Sequence, residues 1–168
     1  MKKIIKYLRE RFVFYRVNVI YRGTHFFERK RKLLNSIGFK IGRGTRIVGP
    51  IEVTGNLIVG NDCWIGKDFK VNGNGTVVIG DNCDIGPEVT FQTGGHVIGN
   101  KKRRAGEGMT FQQSVGDGCW ICGGVTIFNN TKIGESCVIA GRACVVKDVD
   151  NNSLVGGVPA QLIRMLEE

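Results

Sequence analysis

Aliphatic residues recur at every sixth position along most of the chain. Fifteen hexads share one register, broken by two extra residues before Ile79 and by a longer interruption between Phe91 and Val115. Their first residues are Ile41, Ile47, Val53, Val59, Ile65, Val71, Ile79, Ile85, Phe91, Val115, Ile121, Ile127, Ile133, Ile139 and Val145. Three hexads make one triangular coil whose short strands stack in parallel, so the pattern predicts a mainly β protein, a parallel β-helix of about five coils.

A second inward position lies four residues after each of these aliphatic positions. Four of the six cysteines occupy it, at Cys63, Cys83, Cys119 and Cys137. Free cysteine behaves as a small buried hydrophobe, and Cys119 with Cys122 forms the only C-x-x-C spacing. The cysteines are therefore predicted to be core residues rather than disulfide, zinc or redox groups.

The first 37 residues have helical spacing instead. Apolar side chains recur at Ile4, Ile5, Leu8, Phe12 and Tyr15. A break is predicted at Arg22–Gly23–Thr24, followed by a second short helix from Phe26 to Leu34. Two interpretations of this segment stay open. It is either an interfacial helix that binds an anionic membrane, or a helix that covers the open end of the β-helix or packs on a neighbouring subunit.

These patterns divide the chain into three parts. Residues 1–38 form the basic, aromatic-rich helical segment, 39–150 form the β-helix, and 151–168 form a tail. In the tail a short strand is followed by Pro159, a favourable first residue for a helix, so a short C-terminal helix ending at Glu168 is predicted.

The interruption at residues 92–114 is predicted to be a loop that leaves the scaffold. It contains Gly94-Gly95-His96, the basic run Lys101–Arg104, and Gly106-Glu107-Gly108. Long loops on rigid scaffolds commonly carry function. The basic run is interpreted equally well as a solvated loop or as a contact for an anionic ligand.

Composition and charge limit the remaining classes. Residues 1–46 carry 14 Lys or Arg and 2 acids, and residues 47–168 carry 10 and 13, so the net charge of +9 arises from the N-terminal segment. No apolar run reaches the roughly 20 residues of a membrane span, and no signal peptide is apparent. We expect a cytoplasmic protein that could contact the inner face of the membrane through residues 1–37, with no nucleic-acid partner.

Several motifs, in order, resemble the sugar O-acetyltransferases of the hexapeptide family, including the galactoside, maltose and nodulation enzymes. They are the stretch from Ile79-Gly80-Asp81-Asn82 through Pro87, then His96, then Val115-Gly116-Asp117-Gly118-Cys119-Trp120-Ile121, and finally Gly157-Val158-Pro159-Ala160 with Arg164. The N-terminal segment is more similar to acetyltransferases of capsule and lipopolysaccharide biosynthesis. The resemblance implies a left-handed coil, which periodicity alone cannot determine.

The resemblance also implies an active site. In the family the loop histidine, here His96, is the general base that takes the proton of a sugar hydroxyl as the hydroxyl attacks the thioester of acetyl-CoA. Trp120 would form the wall beside it, and the Gly123 N–H would donate to the developing oxyanion. Glu107 is either an orienting partner of the imidazole or a solvated loop residue.

Acetyl-CoA is the implied acyl donor, and no metal is expected. The resemblance places CoA contacts at Gly141, Arg142, Val146, Lys147, Pro159, Ala160 and Arg164, where cations would meet the CoA phosphates. It further implies a homotrimer with active sites between subunits. No asparagine stands at residues 66–68, where the galactoside enzymes have one for the sugar, so the acceptor stays open.

Alternative functions differ in what they require. A β-helical carbonic anhydrase needs three histidine ligands for zinc, whereas the chain has only His25 and His96. A sugar nucleotidyltransferase or a serine acetyltransferase needs an additional N-terminal domain. An N-acetyltransferase acting on an amino sugar, or an antibiotic acetyltransferase, remains the enzymatic alternative. A β-helix used only as an assembly module is the non-enzymatic one.

Overall fold

The computed structural model describes residues 1–167 as two helices, a π-helical turn and nineteen strands. The helices are α1 (Lys2–Tyr15) and α2 (Phe27–Ser36), with the π-helical turn at Arg16–Ile20. The strands are β1 (Lys40–Ile41), β2 (Arg46–Ile47), β3 (Ile51–Val53), β4 (Asn56–Val59), β5 (Trp64–Ile65), β6 (Phe69–Asn72), β7 (Thr76–Ile79), β8 (Asp84–Ile85), β9 (Thr90–Gln92), β10 (Gly94–Ile98), β11 (Ala105–Thr110), β12 (Gln112–Val115), β13 (Trp120–Ile121), β14 (Thr126–Ile127), β15 (Lys132–Ile133), β16 (Val138–Ile139), β17 (Cys144–Val145), β18 (Ser153–Gly157) and β19 (Ala160–Met165).

Fifteen of these strands form a prism with three faces. Face A contains β1, β4, β7, β12 and β15, face B contains β2, β5, β8, β13 and β16, and face C contains β3, β6, β9, β14 and β17. Neighbours on each face are parallel, with Ile41 paired to Val59, Val59 to Ile79 and Val115 to Ile133. The five predicted coils are therefore present, and β18 adds part of a sixth on face B.

The interior of the prism contains the two predicted columns. The first residues of all fifteen hexads, fourteen aliphatic residues and Phe91, are buried. The thiols of the four predicted core cysteines point to turn carbonyls of the next coil, as in the Cys63 Sγ to Gly80 oxygen distance of 3.0 Å. A hydrogen bond with Cys119 and burial raise the pKa of Cys83 to about 11, so this thiol stays protonated in the core.

The N-terminal segment covers the first coil and pairs its open strand edges. Asn18 Nδ2 donates to the Ile51 carbonyl (2.8 Å) while Asn18 Oδ1 accepts from the Ile51 N–H (2.9 Å). Asn35 makes the same two bonds with Ile41 on face A. On face B, Gly23 forms an antiparallel bridge with Gly49, which follows β2. The covering interpretation of this segment is therefore observed, and unpaired edges, which are prone to aggregation, are avoided.

Side chains of the same segment close the core. Val13, Val17 and Leu34 are buried in one cluster with the first coil. Lys30 is also buried, and its Nζ donates to the Gly23 carbonyl at 2.7 Å. Burial lowers the pKa of Lys30 to about 8. The Lys30 contact joins α2 to Gly23, the residue that forms the bridge with Gly49.

The predicted C-terminal helix is wrong, because the tail forms an antiparallel hairpin of β18 and β19. Gly157, with a left-handed φ of +97°, begins the turn, and Leu154 pairs with Arg164. The last coil leaves the outer edge of β18 without a following coil, and β19 supplies the missing hydrogen bonds. The predicted helix from Pro159 to Glu168 would have ten residues, and a helix of that length is only marginally stable in water without packing contacts.

The predicted loop at residues 92–114 is shorter and more regular than expected. β10 and β11 pair as an antiparallel hairpin, with His96 opposite Gly108. The scaffold resumes at β12, whose residues pair with β7. The insertion is thus a hairpin that leaves the corner between faces C and A.

The Asn18 cap can be tested by Asn18→Ala. We expect the free energy of unfolding to fall by about 1–3 kcal/mol, because the buried Ile51 N–H and carbonyl lose their partners. Urea unfolding followed by circular dichroism measures this change.

Asn74→Ala is the matched control, since the Asn74 side chain makes no hydrogen bond within residues 1–167. Its expected effect is below about 0.5 kcal/mol. Equal losses for the two variants would mean that the cap does not stabilise the first coil.

Candidate active site

The hairpin that carries His96 is held at its base by two buried polar side chains. Thr93 Oγ1 donates to the Asn72 carbonyl at 3.0 Å and accepts from the Gly75 N–H at 3.2 Å. Gln113 Nε2 lies 3.2 Å from the Gln92 carbonyl and also contacts the Ile127 carbonyl at the end of β14 and the Asn129 carbonyl in the turn that follows. These bonds fix where the hairpin leaves the prism.

Neither anchor is among the residues predicted from sequence. Gln113 pairs with Val77 on face A, so it occupies an inward position that Leu57 and Val77 fill with apolar side chains in the two coils before it. The sequence did contain a signal for Gln113, because it is a polar residue at an inward position of the hexad, directly after the interruption.

His96 is exposed on β10, and its ring is oriented by a backbone carbonyl. Nδ1 lies 2.9 Å from the Gly106 oxygen on the facing strand. A carbonyl oxygen can only accept, so the neutral imidazole must carry its proton on Nδ1. The lone pair of Nε2 is then available to accept a proton from a substrate.

Glu107 does not orient the imidazole. Its side chain is exposed and makes no hydrogen bond to His96 within the described chain. The solvated interpretation of Glu107 therefore agrees with the structure. Lys101–Arg104, at the tip of the same hairpin, are exposed as well.

Trp120 lies on a different side of the prism from the hairpin. It points outward from β13 on face B and is 56% exposed, whereas the next residue, Ile121, is buried. The corner between faces C and A, where the hairpin leaves, is opposite face B in a three-sided prism. One chain therefore does not bring His96 and Trp120 together.

Gly123 and Gly141 occupy equivalent turns, one coil apart, between faces B and C. Their N–H groups have no acceptor within residues 1–167. At the corner between faces A and B, the corresponding backbone N–H groups each donate to a side-chain oxygen of the next coil. The pairs are Arg43 with Asn61, Asn61 with Asp81, Asp81 with Asp117, and Glu135 with Asn151. The corner of Gly123 thus offers backbone donors to a ligand.

The remaining predicted CoA contacts lie in three places. Arg142 adjoins Gly141, and its N–H donates to the Gly123 carbonyl at 3.0 Å. Val146 and Lys147 follow β17 at the corner between faces C and A. Lys147 and Ala160 line one cavity of about 160 Å³ between the last coil and the terminal hairpin.

Two predicted contacts lie on the outer side of the terminal hairpin. Pro159 is in its turn, and Arg164 is exposed on β19. The structure therefore brings the seven residues to one end of the β-helix without joining them in a single cavity within one chain.

The same architecture is found in solved acetyltransferases. The hexapeptide-repeat acetyltransferase VCA0836 of Vibrio cholerae, solved with acetyl-CoA, superposes with a TM-score of 0.85 at 24% identity over 99% of this chain and 89% of that chain. A galactoside acetyltransferase solved with coenzyme A gives a TM-score of 0.84 at 27% identity over 96% and 81%. The resemblance to hexapeptide-repeat acetyltransferases is confirmed. The left-handed parallel β-helix is confirmed with it.

Sequence similarity to curated proteins is more local. The galactoside O-acetyltransferase of Escherichia coli K12 is 33% identical over 66 residues, which make up 39% of this chain and 32% of that protein. The chain spans no more than about a third of the length of the curated relatives that it matches. No protein-family model matches the chain.

The tautomer of His96 can be tested by long-range proton–nitrogen NMR on labelled protein. We expect a protonated Nδ1 and an unprotonated Nε2 in the neutral ring, because only that form can donate to Gly106. His25→Ala assigns the signals, since His25 is the only other histidine. A proton on Nε2 would contradict the contact.

Proposed function

We propose that this protein is an acetyl-CoA-dependent O-acetyltransferase that acts on a sugar hydroxyl in the biosynthesis of a surface polysaccharide. The observation that carries the proposal is the Nδ1 contact of His96 with Gly106, which leaves Nε2 as a base on a hairpin presented by this fold. The similarity to a galactoside acetyltransferase solved with coenzyme A supports the donor and the acceptor class.

His96 acts as the general base in this proposal. The acceptor hydroxyl oxygen attacks the thioester carbonyl of acetyl-CoA while Nε2 takes the hydroxyl proton. The tetrahedral intermediate then collapses, the carbon–sulfur bond breaks, and the departing CoA sulfur receives the proton from the imidazolium. Such general base catalysis is typically worth roughly 10²–10⁴ in rate. The Gly106 carbonyl accepts a hydrogen bond from the Nδ1–H in both charge states, so the ring keeps its orientation throughout the proton transfer.

The Gly123 N–H is the proposed donor to the oxyanion. Negative charge develops on the thioester oxygen during the attack, and a fixed backbone donor stabilises it without reorganisation. The Gly141 N–H, one coil further along, is suited to an amide oxygen of the pantetheine chain. Arg142, Lys147 and Arg164 supply cations for the CoA phosphates.

The active site is proposed to lie between subunits of a homotrimer. His96 leaves the corner opposite to the face that carries Trp120, so one copy of the chain has an incomplete site. A neighbouring copy that turns its face B towards the hairpin would supply Trp120 and Gly123. Cyclic symmetry repeats this contact three times and leaves no site unfilled.

The acetyl transfer can be tested by measuring CoA release from acetyl-CoA with sugars, lipid-linked glycans, amino sugars and antibiotics. His96→Ala should lower the rate with the best acceptor by roughly 10²–10⁴-fold, because the hydroxyl loses its base. His25→Ala should keep the wild-type rate.

Full activity of His96→Ala on the best acceptor would disprove the mechanism. Acetylation of an amine or an antibiotic in preference to every hydroxyl would replace the sugar O-acetyltransferase with the alternative acceptor class.

The intersubunit site can be tested by co-expressing His96→Ala with Trp120→Ala. Each variant alone should have low activity, whereas each mixed trimer should recover about one of its three sites, the one that combines an intact His96 with an intact Trp120. No recovery in mixed trimers isolated with two different tags would mean that each site lies within one chain.

A further inference from the structure

Helix α1 has two apolar faces that point in opposite directions. At 100° per residue, Val13 and Val17 fall on the face that packs on the first coil, and both are buried. On the opposite side lies an outer stripe made of Ile4, Ile5, Leu8, Phe12 and Tyr15. Each of these five side chains is more than half exposed. The covering of the β-helix thus explains only one face of the helix.

The outer stripe is continuous and large for a surface feature. From Ile4 to Tyr15 it runs for about 17 Å along the helix, at about 1.5 Å per residue. Contiguous apolar patches of this kind on a soluble protein usually mark an interaction site. No helix within residues 1–167 combines the length and apolar character needed to cross a bilayer.

Cations border the outer stripe on both sides. Arg9 lies beyond one edge and Arg11 beyond the other, and both are exposed. The acid of the helix, Glu10, lies on the side that faces the β-helix and pairs with Lys6 at 3.7 Å. An apolar stripe between two arginines matches the chemistry of an anionic lipid surface, with acyl chains below and phosphates at the level of the arginines.

We propose that the outer stripe of α1 docks the protein on an anionic membrane, with the helix lying in the plane of the lipid headgroups. A second copy of the stripe is a poor occupant, because two copies face to face would bring Arg9 and Arg11 of both chains together. An anionic surface neutralises the same charges. Residues 1–46 carry a net charge of +12 and the rest of the chain carries −3, so an anionic surface attracts the N-terminal end of the molecule.

The position of α1 suits this role. The buried face of the helix covers the open end of the prism, so the outer stripe faces away from the coils. In a cyclic assembly whose symmetry axis runs along the β-helices, all N-terminal ends face the same side. If the proposed trimer forms, three stripes would meet one membrane at once, and avidity would strengthen a weak single contact. The docking of a single stripe does not depend on the acetyl transfer.

The test is flotation of the full-length protein with lipid vesicles. Vesicles of phosphatidylcholine that contain about a third phosphatidylglycerol should bind the protein, and binding should weaken at high salt or with phosphatidylcholine alone. Leu8→Ser combined with Phe12→Ser should lower binding by at least about tenfold, because two side chains of the outer stripe no longer enter the headgroup region. Arg9→Gln combined with Arg11→Gln should lower binding only to the anionic vesicles.

The matched control removes exposed apolar side chains elsewhere. Val158→Ser combined with Leu162→Ser, in the terminal hairpin, should bind vesicles as the wild type does. Circular dichroism confirms that each variant is folded, which is expected because Val13 and Val17 are unchanged.

Two results would overturn the proposal. One is wild-type protein that does not float with anionic vesicles, or stripe variants that float equally well. The other is a fall in oligomer size for Leu8→Ser with Phe12→Ser, measured by sedimentation velocity, in protein that binds no vesicles. That second result would assign the outer stripe to a protein interface.

Discussion

Backbone hydrogen bonds between coils join every strand of the prism to the equivalent strand one turn away. A coil cannot satisfy its own polar groups, because its strands are only two to four residues long and lie at angles to one another. Stability therefore comes from the stack, and the stack has two ends where bonds would be missing. The rest of the structure follows from this requirement. Asn18 and Asn35 complete the first coil, and β19 completes the last one.

The same requirement determines where chemistry can be placed. An insertion within a strand would break bonds on both sides, whereas a corner can release the chain without disturbing the faces. The hairpin of β10 and β11 leaves such a corner. Gln113, in the strand that follows the hairpin, bonds to the Asn129 carbonyl and so holds that strand against the next coil. The geometry on which the proposed catalysis depends then arises within the hairpin, where the Gly106 carbonyl selects the tautomer of His96. Turns between faces B and C add backbone donors at Gly123 and Gly141, because no side-chain ladder fills them.

A prism of this shape divides its functional groups among separate surfaces. The hairpin, the tryptophan face and the covered N-terminal end point in three different directions. In the proposed trimer, neighbouring copies would bring together groups that one copy holds apart. The proposed membrane contact, the outer stripe of α1, lies at the end of the prism away from the terminal hairpin.

Much of the fold could be predicted because the feature that determines it, an apolar residue at every sixth position, is local and repeated. An aliphatic residue at every sixth position has the same environment in each coil, so fifteen weak signals agree, and all fifteen side chains are buried. The cysteine column follows from the same register. The hairpin was located as an interruption, and His96 was found within it by resemblance to the family. For Glu107 two interpretations stayed open, and the group that contacts the imidazole is a backbone carbonyl, which carries no residue-type signal.

The sequence by itself determined the period, the core and the position of the interruption, because each depends on side-chain character at fixed spacing. The tertiary structure decided how the chain ends. Pro159 permits a helix locally, but the open edge of β18 offers hydrogen bonds that a short unpacked helix cannot match. It also decided the two faces of α1, since one apolar pattern along a helix does not say which side meets the β-helix. Both outcomes depend on surfaces that exist only after the coils have stacked.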